Sequence, residues 1–197
     1  MLTEEQYQKL LKLIPENIST ELKEAFRNKT KYRELKKGET LFDEKQLDNK
    51  LFYITNGSCV RYIVTPQGNE RAIMFHTESF IPVIGNMYLN SDNSWVNYSL
   101  KANETTELIE FHSDFGYEWQ QKDKIFSLFL LQRSTEFLST INQLQNHLIG
   151  LDSETFYQWI IEKYPFILQR FMSKDIASFM GVTPVWLSNI KRKIQKR

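Results

Sequence analysis

Apolar positions change their spacing twice along the 197 residues, and the changes divide the chain. At the start, Tyr7, Leu10, Leu11 and Ile14 recur at helical spacing, which predicts an amphipathic helix over 3–14. Thr3 can cap it, and Gln6 stands at the capping-box position. Pro15 interrupts the pattern, and Ile18, Leu22 and Phe26 predict a second helix to about Arg27.

From Tyr32 the spacing shortens, and brief apolar and aromatic runs alternate with turn signals. LFYIT (51–55), Asn56-Gly57 and SCVRYIV (58–64) together predict a hairpin, because Asn-Gly supplies the positive φ angles of a two-residue type I′ turn. PQGN (66–69) turns into ERAIMF (70–75). Two later runs alternate: Val96, Tyr98 and Leu100, then Thr105, Glu107, Ile109 and Phe111. Short strands at this interval predict an all-β sandwich or roll rather than a parallel α/β sheet.

Beyond Ser113 the helical period returns. A short helix is expected over 115–120 and a long one over about 124–149, with Phe126, Phe129, Leu130, Phe137, Leu138, Ile141, Leu144 and Leu148 apolar and Gly150 as its C′ residue. At 1.5 Å per residue the long helix extends roughly 39 Å. That exceeds what a small domain needs, so the helix suggests a dimerisation surface; the alternative is packing wholly within its own subunit. Asp152-Ser153 starts another helix, with Phe156, Trp159, Ile160 and Tyr164 inward and Pro165 as its stop. The expected division is a β-rich unit over 1–120, a connecting helix over 121–150 and a small helical unit over 151–197.

Composition narrows the function classes. Hydrophobic content of 41% and charged content of 25% are ordinary for a globular chain. No run of about eighteen apolar residues is present, so a transmembrane helix and a membrane partner are not expected. The N-terminus lacks the apolar core of a signal peptide, and the expected compartment is the cytoplasm. The single cysteine, Cys59, excludes an internal disulfide and reads as a small core residue. Phosphate-cradling glycine loops, a nucleophile elbow and a zinc-protease motif are all missing. His76, His112 and His147 lie far apart without ligand-like spacing, so no metal, no cofactor and no enzyme activity is expected. The net charge of +1 hides an asymmetry: residues 170–197 hold seven basic side chains and one acid. An excess of positive charge at one end suggests an anionic partner.

That end is KDIASFMGVTPVWLSNIKRKIQKR (174–197). Ser173 is the expected N-cap of a helix over 174–180, and Gly181 can take the left-handed turn that ends it. Thr183 caps the next helix with Pro184 at its first position. Two short helices joined by a tight glycine turn predict a helix-turn-helix. On a helical wheel Leu187, Ile190 and Ile194 face inward. Val185, Ser188, Asn189, Arg192 and Lys196 lie opposite, and Trp186, Lys191 and Lys193 lie on the flanks. Such a face suits double-stranded DNA. Asn189 matches adenine, Arg192 guanine or phosphate, and Val185 a thymine methyl. Lys174, at the start of the preceding helix, suits the backbone, and Thr183 completes the candidate set. A non-enzymatic alternative is a small-molecule-binding roll whose helical end makes protein contacts only.

The order β-roll, long helix, helix-turn-helix resembles the Crp/Fnr transcription regulators. YPFILQRFMSKDIASFMGVTPVWLSNIKRK resembles the C-terminal segment of a Bacteroidetes-type branch of that family, and KKGETLF, LFYITNGSCVRYIV and QGNERAIMF match its strand pattern. The resemblance implies an α+β chain. Its parts would be an N-terminal double-stranded β-helix (a jelly roll of the cyclic-nucleotide-binding type), a dimerisation helix and a C-terminal helix-turn-helix. It also implies a homodimer on near-palindromic DNA, a small-molecule effector of unknown identity, and RNA polymerase as a partner if the protein activates. Cyclic-AMP-binding members carry a Gly-Glu pair and an arginine where this chain has FIPVIGNMYLNSDNSWVNY (80–98). With neither present, cyclic-AMP binding in the usual manner is not expected. Val185 and Asn189 replace the family's frequent glutamate and arginine, so a different half-site is expected.

Overall fold

The computed structural model describes residues 2–43, 50–65, 68–85 and 97–194. Two helices open the chain, α1 (Glu4–Leu11) and α2 (Thr20–Lys29). The predicted capping box forms: Thr3 N donates to Gln6 Oε1 at 2.9 Å, and Gln6 N donates to Thr3 Oγ1 at 3.3 Å. Eight strands follow: β1 (Lys31–Leu35), β2 (Thr40–Asp43), β3 (Lys50–Asn56), β4 (Ser58–Val64), β5 (Glu70–Thr77), β6 (Val83–Gly85), β7 (Asn97–Ala102) and β8 (Thr106–His112). They form two antiparallel four-stranded sheets, ordered β1-β8-β3-β6 and β2-β7-β4-β5. The chain closes with α3 (Ser113–Lys122), α4 (Lys124–Gly150), α5 (Ser153–Lys163), α6 (Pro165–Arg170), α7 (Ser173–Met180) and α8 (Pro184–Ile194). The class is α+β, a jelly-roll-like pair of sheets followed by helices.

Asn56-Gly57 does not make a hairpin. Asn56 still pairs within β3, opposite Glu107, and β4 begins in the other sheet. Of the two residues only Gly57 has a positive φ, at 101°, whereas a type I′ turn needs both. The dipeptide is a corner at which the chain changes sheets. A Cβ on Gly57 would sit 2.7 Å from both the Thr105 carbonyl oxygen and the Thr106 Cα. Gly38 has a similar φ of 83° but open space around it. Gly57→Ala is therefore expected to cost about 2 kcal/mol more than Gly38→Ala in urea unfolding. Equal losses would show that the corner relaxes freely.

Other local differences have plain causes. Gly150 remains the last helical residue of α4, and Leu151, in extended conformation, takes the cap. Pro165 ends α5 by starting α6, where its missing N–H costs nothing at the first position.

Three apolar clusters stack across the molecule. Between the sheets lie Leu35, Phe52, Ile54, Cys59, Ile84, Leu100 and Leu108. On the outer face of the first sheet, Ile109 packs under Leu22 and Phe26 of α2 and Phe126 of α4. On the outer face of the second sheet, Val60, Ala72 and Phe75 join Phe156, Ile160, Ile176, Phe179, Leu187 and Ile190. The last cluster ties the C-terminal helices directly to the roll. Within it Phe75 lies 4.5 Å from Phe171 and 5.3 Å from Phe179, centroid to centroid.

Polar contacts fix the same seam. β5 is an edge strand, and Ala72 N donates to Ser178 Oγ at 3.0 Å. Arg170 donates to Glu78 Oε1 at 2.7 Å and to Glu104 Oε1 at 2.5 Å, while Asn103 Nδ2 donates to the Arg170 carbonyl. Partial burial opposes charge on Glu78, but the Arg170 guanidinium prevails and holds its carboxyl below the usual value.

Candidate functional site

α7 and α8 meet at a tight turn. Gly181 has φ 71°, Gly181 N donates to the Ser178 carbonyl, and Val182 N donates to the Ala177 carbonyl. This paired arrangement ends a helix where only glycine takes the left-handed angle cheaply. Thr183 Oγ1 accepts from Trp186 N at 3.2 Å, the expected cap of α8, and Pro184 starts the helix. At the other end of α7 the expectation fails. Ser173 is already helical and Met172 stands at the cap without a side-chain bond. The Ser173 hydroxyl instead accepts from Lys191 Nζ at 2.7 Å, tying the start of α7 to the end of α8.

Leu187 is fully buried and Ile190 nearly so, while Ile194 packs partly against the same cluster. The opposite side of α8 is open. Val185 is 71% exposed, Trp186 is 42% exposed, and Ser188, Asn189 and Arg192 are exposed beside them. Arg192 donates to Asn189 Oδ1 at 2.6 Å, which aligns the guanidinium and leaves the Asn189 amide protons outward. The remaining cations are distributed differently from one another. Lys193 is ion-paired with Glu154 of α5. Lys174 is exposed but lines a cleft against the roll. Lys196 lies outside the described residues.

The structure adds two arginines that the sequence did not assign to any site. Arg71 on β5 is exposed, and its guanidinium reaches the turn: a Cβ on Gly181 would lie 2.8 Å from it. No local signal links two positions so far apart in sequence. Arg61 on β4 is 4% exposed, inside the roll, within 3.5 Å of the Gly85 carbonyl. Alternation offered a clue here, since Arg61 shares a strand face with the buried Cys59.

Those interior groups are not poised for chemistry. Burial pushes the Cys59 thiol up to about 12. Burial first, and the Arg61 charge second, push His76 down to about 3, with its Nδ1 2.8 Å from the Ile81 carbonyl. Cys59 is thus a protonated thiol and His76 a neutral ring at physiological pH. Among the described residues no group of three His, Cys, Asp or Glu side chains could hold a metal ion, and no helix is long and apolar enough to cross a membrane.

Known proteins share this fold. Residues 32–118 match the cyclic nucleotide-binding domain. The match spans β1 to α3 and leaves the C-terminal helices outside it. Solved structures share the fold over most of the chain. A cyclic nucleotide-binding domain containing protein from Listeria monocytogenes has a TM-score of 0.70 at 13% identity, over 95% of this chain and 91% of that one. FixK2 from Bradyrhizobium japonicum has a TM-score of 0.65 at 13% identity, over 85% of each chain. A protein described as a transcriptional regulator of the Crp/Fnr family, from Eubacterium rectale, has a TM-score of 0.64 at 13% identity, over 91% of this chain and 85% of that one. At these identities the likeness is one of fold. No curated protein matches the sequence.

Proposed function

We propose that this chain is a sequence-specific DNA-binding transcription regulator of the Crp/Fnr type, acting as a homodimer. The observation that carries the reading is the face of α8: Leu187 and Ile190 anchor the helix, and Val185, Ser188, Asn189 and Arg192 stand outward in one row. In this reading α7 and α8 form a helix-turn-helix whose second helix enters the major groove. Asn189 and Val185 read base edges, while Arg192 and the flanking Lys191 and Lys193 reach phosphates, the last by exchanging Glu154 for DNA. Arg71 extends the positive rim beside the turn.

The dimer is supported by α4. Of its 27 residues only Phe126 and Leu144 are buried, and Leu128, Leu131, Leu138 and Ile149 are each more than half exposed. Leu131 and Leu138 stand one heptad apart and Leu128 three residues before them, the spacing of a helix-pairing seam. A second copy of α4 covers that stripe and sets two recognition helices about one DNA turn apart. The roll is proposed as an effector domain that does not hold cyclic AMP in the usual manner, since 80–98 lacks the Gly-Glu pair and the arginine.

Fluorescence anisotropy with a duplex selected from a random library, across a salt series, tests the reading. Binding is expected to fall steeply with salt as phosphate contacts release counterions. Asn189→Ala is expected to lower affinity for the selected duplex about tenfold and leave random duplexes nearly unchanged, whereas Lys191→Gln weakens both alike. Failure to retain any duplex at low salt would sink the proposal.

A further inference from the structure

Each cation described in α8 has a partner, and the partner of Arg192 changes what the helix can read. Lys191 donates to the Ser173 hydroxyl of α7, and Lys193 is paired with Glu154 of α5. Arg192 instead folds back along its own helix. Its Nη2 donates to Asn189 Oδ1 at 2.6 Å, and its Nε lies 3.5 Å from the Ser188 carbonyl oxygen. α8 carries no carboxylate to compete for the guanidinium. A hydrogen bond from a charged donor is stronger than a neutral one, and it strengthens where a docked partner excludes water.

What matters is which atoms stay free. An unengaged asparagine reads adenine with both ends of its amide: Oδ1 accepts from N6 and Nδ2 donates to N7. Here the guanidinium sits on Oδ1. The oxygen keeps a second lone pair, but an adenine amino group placed there would bring its N–H groups beside a cation. Asn189 Nδ2 has no partner among the described residues and presents donors only. Guanine offers N7 and O6, two adjacent acceptors, whereas thymine offers O4 alone and cytosine N4 meets the amide as another donor. Ser188, beside it in the outward row, donates or accepts and sets no preference of its own.

We infer that Asn189 and Arg192 act as one unit that reads guanine in the major groove, rather than the adenine that asparagine alone would select. Nδ2 donates to guanine O6 or N7, and Arg192 Nη1, which has no acceptor among the described residues, remains for the adjoining phosphate. The cation works in the same direction, since its field favours the acceptor edge of guanine and opposes the amino group of adenine. Arg192 is thus a positioning residue: it sets the choice of base through the amide it holds. This preference rests on the DNA-binding reading of α8.

The test uses the full chain and duplexes selected from a random library. The base pair read by Asn189 is located as the one whose preference Asn189→Ala abolishes. Four duplexes that differ only at that pair are then compared by fluorescence anisotropy. The parent is expected to favour guanine over adenine about tenfold. Arg192→Ala, which truncates an exposed side chain, is expected to weaken all four duplexes. It should also release Oδ1, so that adenine binds at least as tightly as guanine. The ratio between duplexes carries the result, and a uniform loss of phosphate contact leaves that ratio unchanged. Adenine preferred by the parent, or the parent's guanine-to-adenine ratio retained in Arg192→Ala, would overturn the paired reading. Selected duplexes in which Asn189→Ala abolishes no preference would overturn it too, with DNA binding itself intact. Failure to retain any duplex at low salt would remove the DNA-binding reading and the base preference together.

Discussion

Phe75→Ala is expected to lower the free energy of unfolding by about 4 kcal/mol, near the upper range for a buried aromatic truncated to alanine. Phe75 is 1% exposed and projects from edge strand β5 out of the roll. Its ring touches Phe171 before α7 and Phe179 within it. Its neighbours on the outer face of that sheet, Val60 and Ala72, are too small to refill the space. The loss combines the transfer of a phenyl ring to water with a cavity the rigid sheet cannot close. Urea unfolding gives the magnitude, and amide hydrogen exchange gives the location: protection should fall in α7 before it falls in β3. Phe75→Leu should recover more than half of the loss. A loss below about 1 kcal/mol would show that the helices repack on the roll without this ring.

That seam was also the least legible part of the chain. The helix starts and stops were written locally, in Thr3 and Gln6, in Thr183 and Pro184, and in Gly181, because caps and left-handed turns act within a few residues. The inner and outer faces of α8 were legible for the same reason, since a helical wheel needs only the spacing of Leu187 and Ile190. Strand pairing was not. Asn56-Gly57 carries a strong local hairpin signal, yet Gly57 must fit against Thr105 and Thr106, nearly fifty residues away, and that contact turns the corner between sheets. Nor does anything near Arg170 announce Glu78 and Glu104. Asp175 illustrates the limit most clearly. In sequence it is an ordinary acidic residue in the first turn of a helix, favourable to the helix dipole. Only the packing of that turn onto the roll, beside Tyr62 of β4, makes it a buried carboxylate.

Acid should weaken the fold through His76. The ring is 2% exposed, and because the Ile81 carbonyl can only accept, Nδ1 carries the proton. Nε2 has no partner among the described residues, so a second proton there would be a buried donor without an acceptor, close to the Arg61 charge. The folded ring therefore resists protonation down to about 3, whereas the unfolded chain takes the proton near 6.5. Above 6.5 neither state gains the proton and stability is unaffected. Between 6.5 and about 3 only the unfolded state gains it, so stability falls with acid by about 1.4 kcal/mol per pH unit. Between pH 7 and pH 4.5 the loss from this one group is about 3 kcal/mol. His76→Asn keeps a side-chain N–H at the position of Nδ1 for the Ile81 carbonyl and removes the titration. Carboxylates such as Glu78 lose their own contribution at lower pH in both proteins, so the difference between the two urea series isolates the histidine. The variant is expected to be less stable than the parent at pH 7 and to lose about 3 kcal/mol less on acidification. Parallel slopes would mean that the folded roll accepts the proton, and that a second acceptor reaches Nε2.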